Sequence, residues 1–137
     1  MKKKKIAFLC VHNSCRSQIA EALMKKYGAH VADVYSAGTA LKNQINPDAV
    51  RLMKVLYGID MEESQTPKLL TDIPTVEQVI TMGCNVSCPS LPYQYDTEDW
   101  GLEDPTGKSD QVFLEIISEI DERVRNLIQQ LEQSQDF

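Results

Sequence analysis

Short apolar runs alternate along this chain with stretches in which apolar residues recur every third or fourth position. The first run, Ile6 to Cys10, reads as a strand. From Ser17 to Tyr27 the apolar positions Ile19, Ala20, Leu23 and Tyr27 share one helix face. Val31 to Tyr35 predicts a second strand, closed by Ser36-Ala37-Gly38. Asn46 is a candidate N-cap for a helix that begins at Pro47, carries Ala49, Val50, Met53, Val55 and Leu56, and ends at Gly58. Thr66 to Leu70 reads as a short helical turn, Gln78 to Thr81 as a third strand and Tyr93 to Tyr95 as a short fourth. The stripe Val112, Phe113, Ile116, Ile117, Ile120, Val124, Leu127, Ile128 and Leu131 predicts a long final helix packed on a sheet.

This alternation implies an α/β fold: one three-layer domain over 1–137, a four-stranded parallel sheet with helices on both faces. Ligands in such folds sit outside the carboxyl ends of the strands. Cys10 and Cys84 both fall at such ends.

The chain has 137 residues, enough for a substantial core, and a formal net charge of −6. That balance argues against a nucleic-acid binder, which would present a basic face, but not against a small anion held in a local positive cradle. The basic, then apolar start MKKKKIAFLCV is too short for a signal peptide, because polar HNSCRS follows at once. No stretch is long enough to span a membrane. A cytoplasmic monomer with no membrane or nucleic-acid partner is expected. The four cysteines, at 10, 15, 84 and 88, then point to chemistry and not to a static disulfide framework.

The segment Cys10 to Ser17, CVHNSCRS, carries the chemistry. It joins the first strand to the first helix, so backbone N–H groups and the positive helix end face a bound anion. The loop residues Val11, His12, Asn13, Ser14, Cys15, Arg16 and Ser17 are the candidate substrate-binding set, and Asn13 tolerates the left-handed backbone a tight loop requires. Arg16 offers two parallel donors to one oxyanion. The same field favours the thiolate of Cys10, which suggests in-line attack on phosphorus or arsenic. The side chain of Cys15 is expected to face away from the cradle and to have no essential role.

Two further elements belong with it. Cys84 and Cys88 follow the third strand four positions apart, a spacing that in a helical turn allows a disulfide. Zinc would need more ligands than His12 and His30 supply, so no metal is expected and a reversible dithiol is the better reading. Asp104, stiffened by Pro105, is the candidate general acid, with Glu103 as a competing neighbour. Trp100 reads as a packing anchor for that loop.

Taken together, FLCVHNSCRSQIAEAL, VYSAGT, INPDAV, VITMGC, CP and WGLEDPTGK resemble, in that order, a thioredoxin-coupled arsenate reductase of the low-molecular-weight tyrosine phosphatase fold. The likeness spans nearly the whole chain. Thr106-Gly107 stands where the phosphatases place substrate-holding tyrosines, and those enzymes lack the dithiol pair. The resemblance implies that Cys10 attacks arsenate, Asp104 protonates the leaving water, Cys84 then displaces arsenite, and Cys88 takes over the disulfide for thioredoxin to reduce. Thioredoxin is thus a transient partner and electron source, with no bound cofactor. Arsenate and other tetrahedral oxyanions are the ligands.

Three departures from the family pattern stand out. The relay cysteines are closer together than in familiar members, and His12 replaces a glycine common in the phosphatase loop. Some relatives hold potassium with an asparagine, a glutamate, a serine and an aspartate. Asn13, Glu21 and Ser36 match the first three, and Lys68 lies near the position of the fourth, where its ammonium would replace the ion.

The nearest rival is a phosphatase that hydrolyses phosphoesters through a phosphocysteine at Cys10; a reductase with residual phosphatase activity fits as well. A thiol-based arsenite or metal sensor would not need Arg16 or Asp104. A thioredoxin-like module would carry Cys-x-x-Cys at the first strand–helix turn.

Overall fold

A computed structural model describes residues 3–10, 13, 15–40, 44–83 and 95–134. Four parallel strands, β1 (Lys4–Leu9), β2 (Ala32–Ala37), β3 (Gln78–Thr81) and β4 (Asp96–Asp99), form one sheet in the order β2-β1-β3-β4. The helices are α1 (Arg16–Gly28), α2 (Pro47–Tyr57), the single turn α3 (Met61–Ser64) and α4 (Asp110–Ser134). The parallel sheet and α/β class agree with the alternation of patterns.

β1 is central, which is why Ile6, Ala7, Phe8 and Leu9 are all fully buried and read as a continuous apolar run. Ile6 and Phe8 join the main core with Ile19, Leu23 and Met24 of α1, Leu52 and Met53 of α2, and Phe113, Ile120 and Val124 of α4. Ala7 and Leu9 point the other way, into a smaller cluster with Val76 and Val79 that is flanked by Leu70 and Ile73. Asp121 of α4 ties three helices together, accepting hydrogen bonds from the Tyr57 hydroxyl at 2.8 Å and the Tyr27 hydroxyl at 3.3 Å.

Local chemistry sets the element ends. Asn46 Oδ1 accepts from the N–H groups of Asp48 and Ala49, Pro47 occupies the first turn of α2, and Gly58 closes that helix with φ of 69°. Two sequence expectations are corrected. Thr66 to Leu70 is not a helical turn; the helical pieces nearby are α3 and a 3₁₀ turn at Leu70–Asp72, while Leu69 bridges Gly38 beside β2. Pro67 lacks the N–H a turn would use, and the Lys68 carbonyl instead accepts from the Gly38 N–H at 2.8 Å. The fourth strand lies at Asp96–Asp99; of the expected Tyr93–Tyr95 only Tyr95 is described, and it stands just ahead of the strand. β4 is an exposed edge made of Asp, Thr, Glu and Asp, so no apolar pattern marks it; its acidic side chains also discourage edge pairing. No helix among the described residues is long and apolar enough to cross a membrane.

Candidate active site

The site forms where β1 ends and α1 begins. Cys10, 4% exposed, lies just past β1, and its Sγ is 2.8 Å from Ser17 Oγ. Asn13 sets the geometry around that pair. Its φ of 50° is left-handed, and its side chain is fully buried. The Lys68 N–H donates to Asn13 Oδ1 at 2.7 Å, so the amide nitrogen faces Ser17 and donates to its Oγ at 2.9 Å. Gln18 Nε2 secures the same turn from below by donating to the Asn13 carbonyl at 2.9 Å. With a donor already resting on its oxygen, the Ser17 hydroxyl keeps its own proton for a Cys10 thiolate.

Arg16 is 4% exposed and held by two carbonyls: its Nη1 donates to Leu102 O at 2.8 Å and to Met82 O at 3.2 Å. Its buried Nε has no hydrogen-bond partner among the described residues. A buried N–H without an acceptor costs about 1–3 kcal/mol, and an oxyanion oxygen would remove that cost. Cys15 is the N-cap of α1 and its side chain makes no cap, so it leaves the first N–H groups of the helix to other acceptors.

The Asp104 loop closes over this corner. Leu102 N–H donates to the Met82 carbonyl at 2.8 Å, which anchors the loop to the end of β3. Trp100 is buried and packs on Phe8 with ring centroids 5.4 Å apart, as a packing anchor should. Asp104 Oδ2 lies 3.9 Å from Arg16 Nη2, and its side chain is 51% exposed. Glu103 pairs instead with Lys108 at the surface. Of the two neighbouring acids, it is Asp104 that pairs with the cradle arginine.

Beside the cradle, Glu21 is a buried carboxylate with three partners. Ser36 Oγ donates to Oε1, Lys25 Nζ lies 2.5 Å from Oε2, and Lys68 Nζ lies 3.8 Å from Oε1. Lys68 also donates from Nζ to Thr66 O at 3.1 Å. Asn13, Glu21, Ser36 and Lys68 are therefore brought together. Val11, His12, Ser14, Cys84 and Cys88 lie outside the described residues.

Residues 5–136 match the family described as low molecular weight phosphotyrosine protein phosphatase. The chain is 39% identical over 126 residues to an arsenate reductase of Brevibacillus brevis, covering 90% of this chain and 92% of that protein. It is 37% identical over 129 residues to an arsenate reductase of Staphylococcus aureus, covering 92% and 97%. Among solved structures, an arsenate reductase in the phosphate binding state superposes with a TM-score of 0.80 at 38% identity, covering 93% of this chain and 98% of that one. A thioredoxin-dependent arsenate reductase of Corynebacterium glutamicum gives 0.79 at 38% identity, covering 97% of this chain and 64% of that one. The chain belongs to the arsenate reductases of the low molecular weight phosphotyrosine protein phosphatase family.

Within this family member, Cys15 departs from the sequence expectation. Its side chain does not face away: it is 3% exposed, hydrogen-bonded to the Thr106 side chain, and within electrostatic reach of Cys10, Arg16 and Asp104. The physical reason is the Asp104 loop, which folds over the start of α1 and covers the thiol. Burial pushes the Cys15 thiol far above its ordinary value, reinforced by Asp104 and Cys10, so it stays protonated. Sequence reasoning also missed Thr106, whose N–H and hydroxyl both bind Asp104 Oδ1 at 3.0 and 2.7 Å. An Asp followed two residues later by a threonine is a turn signal that could have flagged it. Gln18 and Gln65, joined through Gln65 Nε2 to Gln18 Oε1 at 2.7 Å, support the Asn13 turn, and no sequence pattern marks them.

Proposed function

We propose that this chain reduces arsenate to arsenite with electrons from thioredoxin, through Cys10, Cys84 and Cys88. The observation that carries the reading is the Arg16 corner, where a buried Nε without an acceptor stands beside the Cys10–Ser17 pair. Arsenate fits as the oxyanion because the relatives that match over nine-tenths of the chain are arsenate reductases.

Arg16 and the loop N–H groups, from Val11 to Ser17, hold the arsenate oxygens. The Cys10 thiolate forms a bond to arsenic while one oxygen leaves, protonated by Asp104, as water. The Cys84 thiolate then attacks Cys10 Sγ. The S–As electron pair passes to arsenic, which drops from As(V) to As(III) and departs as arsenite, leaving a Cys10–Cys84 disulfide. Cys88 attacks Cys84, releasing the Cys10 thiolate and leaving a Cys84–Cys88 disulfide, which the thioredoxin dithiol reduces. Four-residue spacing in the pair suits a compact disulfide. A relay of free thiols requires a reducing compartment, which fits a cytoplasmic enzyme.

In this reading the Lys68 ammonium takes the position of a cation beside Glu21, Ser36 and Asn13. The charge requirement supports it: a carboxylate that is 2% exposed needs a nearby positive partner, and Lys25 and Lys68 flank it from two sides.

The test is arsenate-dependent NADPH oxidation coupled through thioredoxin and thioredoxin reductase, on wild type and Cys88→Ser. Multiple turnover by wild type and none by Cys88→Ser is the expected result. Robust aryl phosphate hydrolysis with no coupled activity would replace the reading with a phosphatase working through a phosphocysteine.

A further inference from the structure

We propose that Thr106 is a positioning residue for the reaction: its two donors fix the plane of the Asp104 carboxyl and keep the acid's proton on the side that faces the cradle. The inference rests on the reading of Asp104 as the general acid.

An aspartate carboxyl turns easily about its last side-chain torsion, which has broad, roughly two-fold wells. Left alone, a half-exposed acid on a surface loop would rotate and carry its proton on either side. Here the two oxygens are unequal. Oδ1 accepts two hydrogen bonds from Thr106, from the N–H at 3.0 Å and the hydroxyl at 2.7 Å. Oδ2 is the oxygen that looks toward Arg16 Nη2, 3.9 Å away. With two donors occupying Oδ1, the proton of the neutral acid belongs on Oδ2, on the side where the leaving oxygen departs. Turning the neutral carboxyl over would set its hydroxyl group against both Thr106 donors.

Thr106 itself is exposed, so replacing it removes the hydroxyl without opening the core.

The experiment is rapid-quench measurement of arsenite release in a single turnover of fully reduced protein, across a range of arsenate concentrations. The variants are Thr106→Val, Thr106→Ser, Asp104→Asn and the Thr106→Val, Asp104→Asn double variant. Thr106→Val is expected to lower the maximal rate roughly tenfold, the size of one hydrogen bond to a charged group, with half-saturation within about twofold of wild type. Thr106→Ser restores the rate to within about threefold, because it keeps both donors. In the Asp104→Asn background Thr106→Val has no further effect. Thr106→Val at the wild-type rate beside a slow Asp104→Asn overturns the positioning role alone, as does an equal loss in both backgrounds. Asp104→Asn at the wild-type rate overturns the acid reading and this inference with it.

Discussion

Cys10 Sγ and Ser17 Oγ stand 2.8 Å apart, seven residues from each other across the turn into α1. Asn13 donates to the serine oxygen, which leaves the serine proton available to a sulfur anion. A hydrogen bond to a charged group contributes about 1.5–3 kcal/mol. Ser17→Ala is expected to slow arsenate reduction at neutral pH by at least about tenfold, read as turnover coupled through thioredoxin. Turnover at the wild-type rate would count against the pair as part of the reacting centre.

In the proposed reading Arg16 serves both binding and architecture. It ties the carbonyls of Met82 and Leu102, from separate segments, while its buried Nε has no partner among the described residues. Arg16→Lys keeps the charge but loses the planar fork and cannot reach both carbonyls and the oxyanion together. The expected result is a loss of about 100-fold or more in kcat/KM for arsenate, together with a lower Tm from carbonyls left without donors. Full stability with lost activity would mean that the carbonyl bonds contribute nothing to the fold; full activity would remove Arg16 from the cradle.

Much of this was legible in the chain, and the exceptions have physical reasons. Asn46, Pro47 and Gly58 marked the ends of α2 because capping chemistry is local. β1 was visible because a central parallel strand is apolar on both faces. β4 was not, since Asp96, Thr97, Glu98 and Asp99 are exposed on an edge and carry no apolar signal. In the site, Cys10, Arg16 and Asp104 were readable from residue type and spacing. The orientation of Cys15 was not, because it depends on a loop about ninety residues away folding back over α1. The same holds for Lys68, which reaches Glu21 only through the contact between Gly38 and the Lys68 carbonyl that brings their segments side by side.

Cys15 predicts an alkaline limit on stability. Its folded pKa is raised, mainly by desolvation, while an unfolded thiol ionises near its ordinary 9.0. The folded state therefore binds more protons than the unfolded state above that pH. The stabilising contribution is fully present below 9.0 and declines as pH rises beyond it. Tyr57, also raised by burial and by its bond to Asp121, acts in the same direction from its ordinary 10.0 upward. Urea midpoints measured between pH 8 and pH 10.5 should fall for wild type and fall less steeply for Cys15→Ala. Parallel declines would assign the alkaline loss to Tyr57 and other groups.

Lys68 predicts indifference to potassium. With ammonium groups already on both sides of Glu21, added K⁺ has no site to fill, so wild-type turnover should be the same in potassium and sodium salts at equal ionic strength. Lys68→Met leaves Glu21 with Lys25 and Ser36 as its partners among the described residues. That variant should lose activity, and potassium should restore part of it where sodium does not. Strong potassium activation of wild type would remove the ammonium from the cation position.

Gly83 carries the last consequence of the Arg16 corner. Its φ is 116°, and a Cβ placed there would stand 2.7 Å from both the backbone N and O of Leu102. Those atoms belong to the residue whose carbonyl binds Arg16 and whose N–H binds Met82 O. Gly83→Ala must therefore push the Asp104 loop away from β3 as well as strain its own backbone. Strain of this type costs about 1–3 kcal/mol before any loop displacement is added. The variant should lose at least about 2 kcal/mol in urea denaturation. Its arsenate turnover should fall more than that of an equally destabilised core variant such as Ile128→Ala, because the displacement moves Asp104 relative to Arg16. Equal turnover in the two variants would show that the loop anchor at Leu102 sets stability without setting the geometry of the acid.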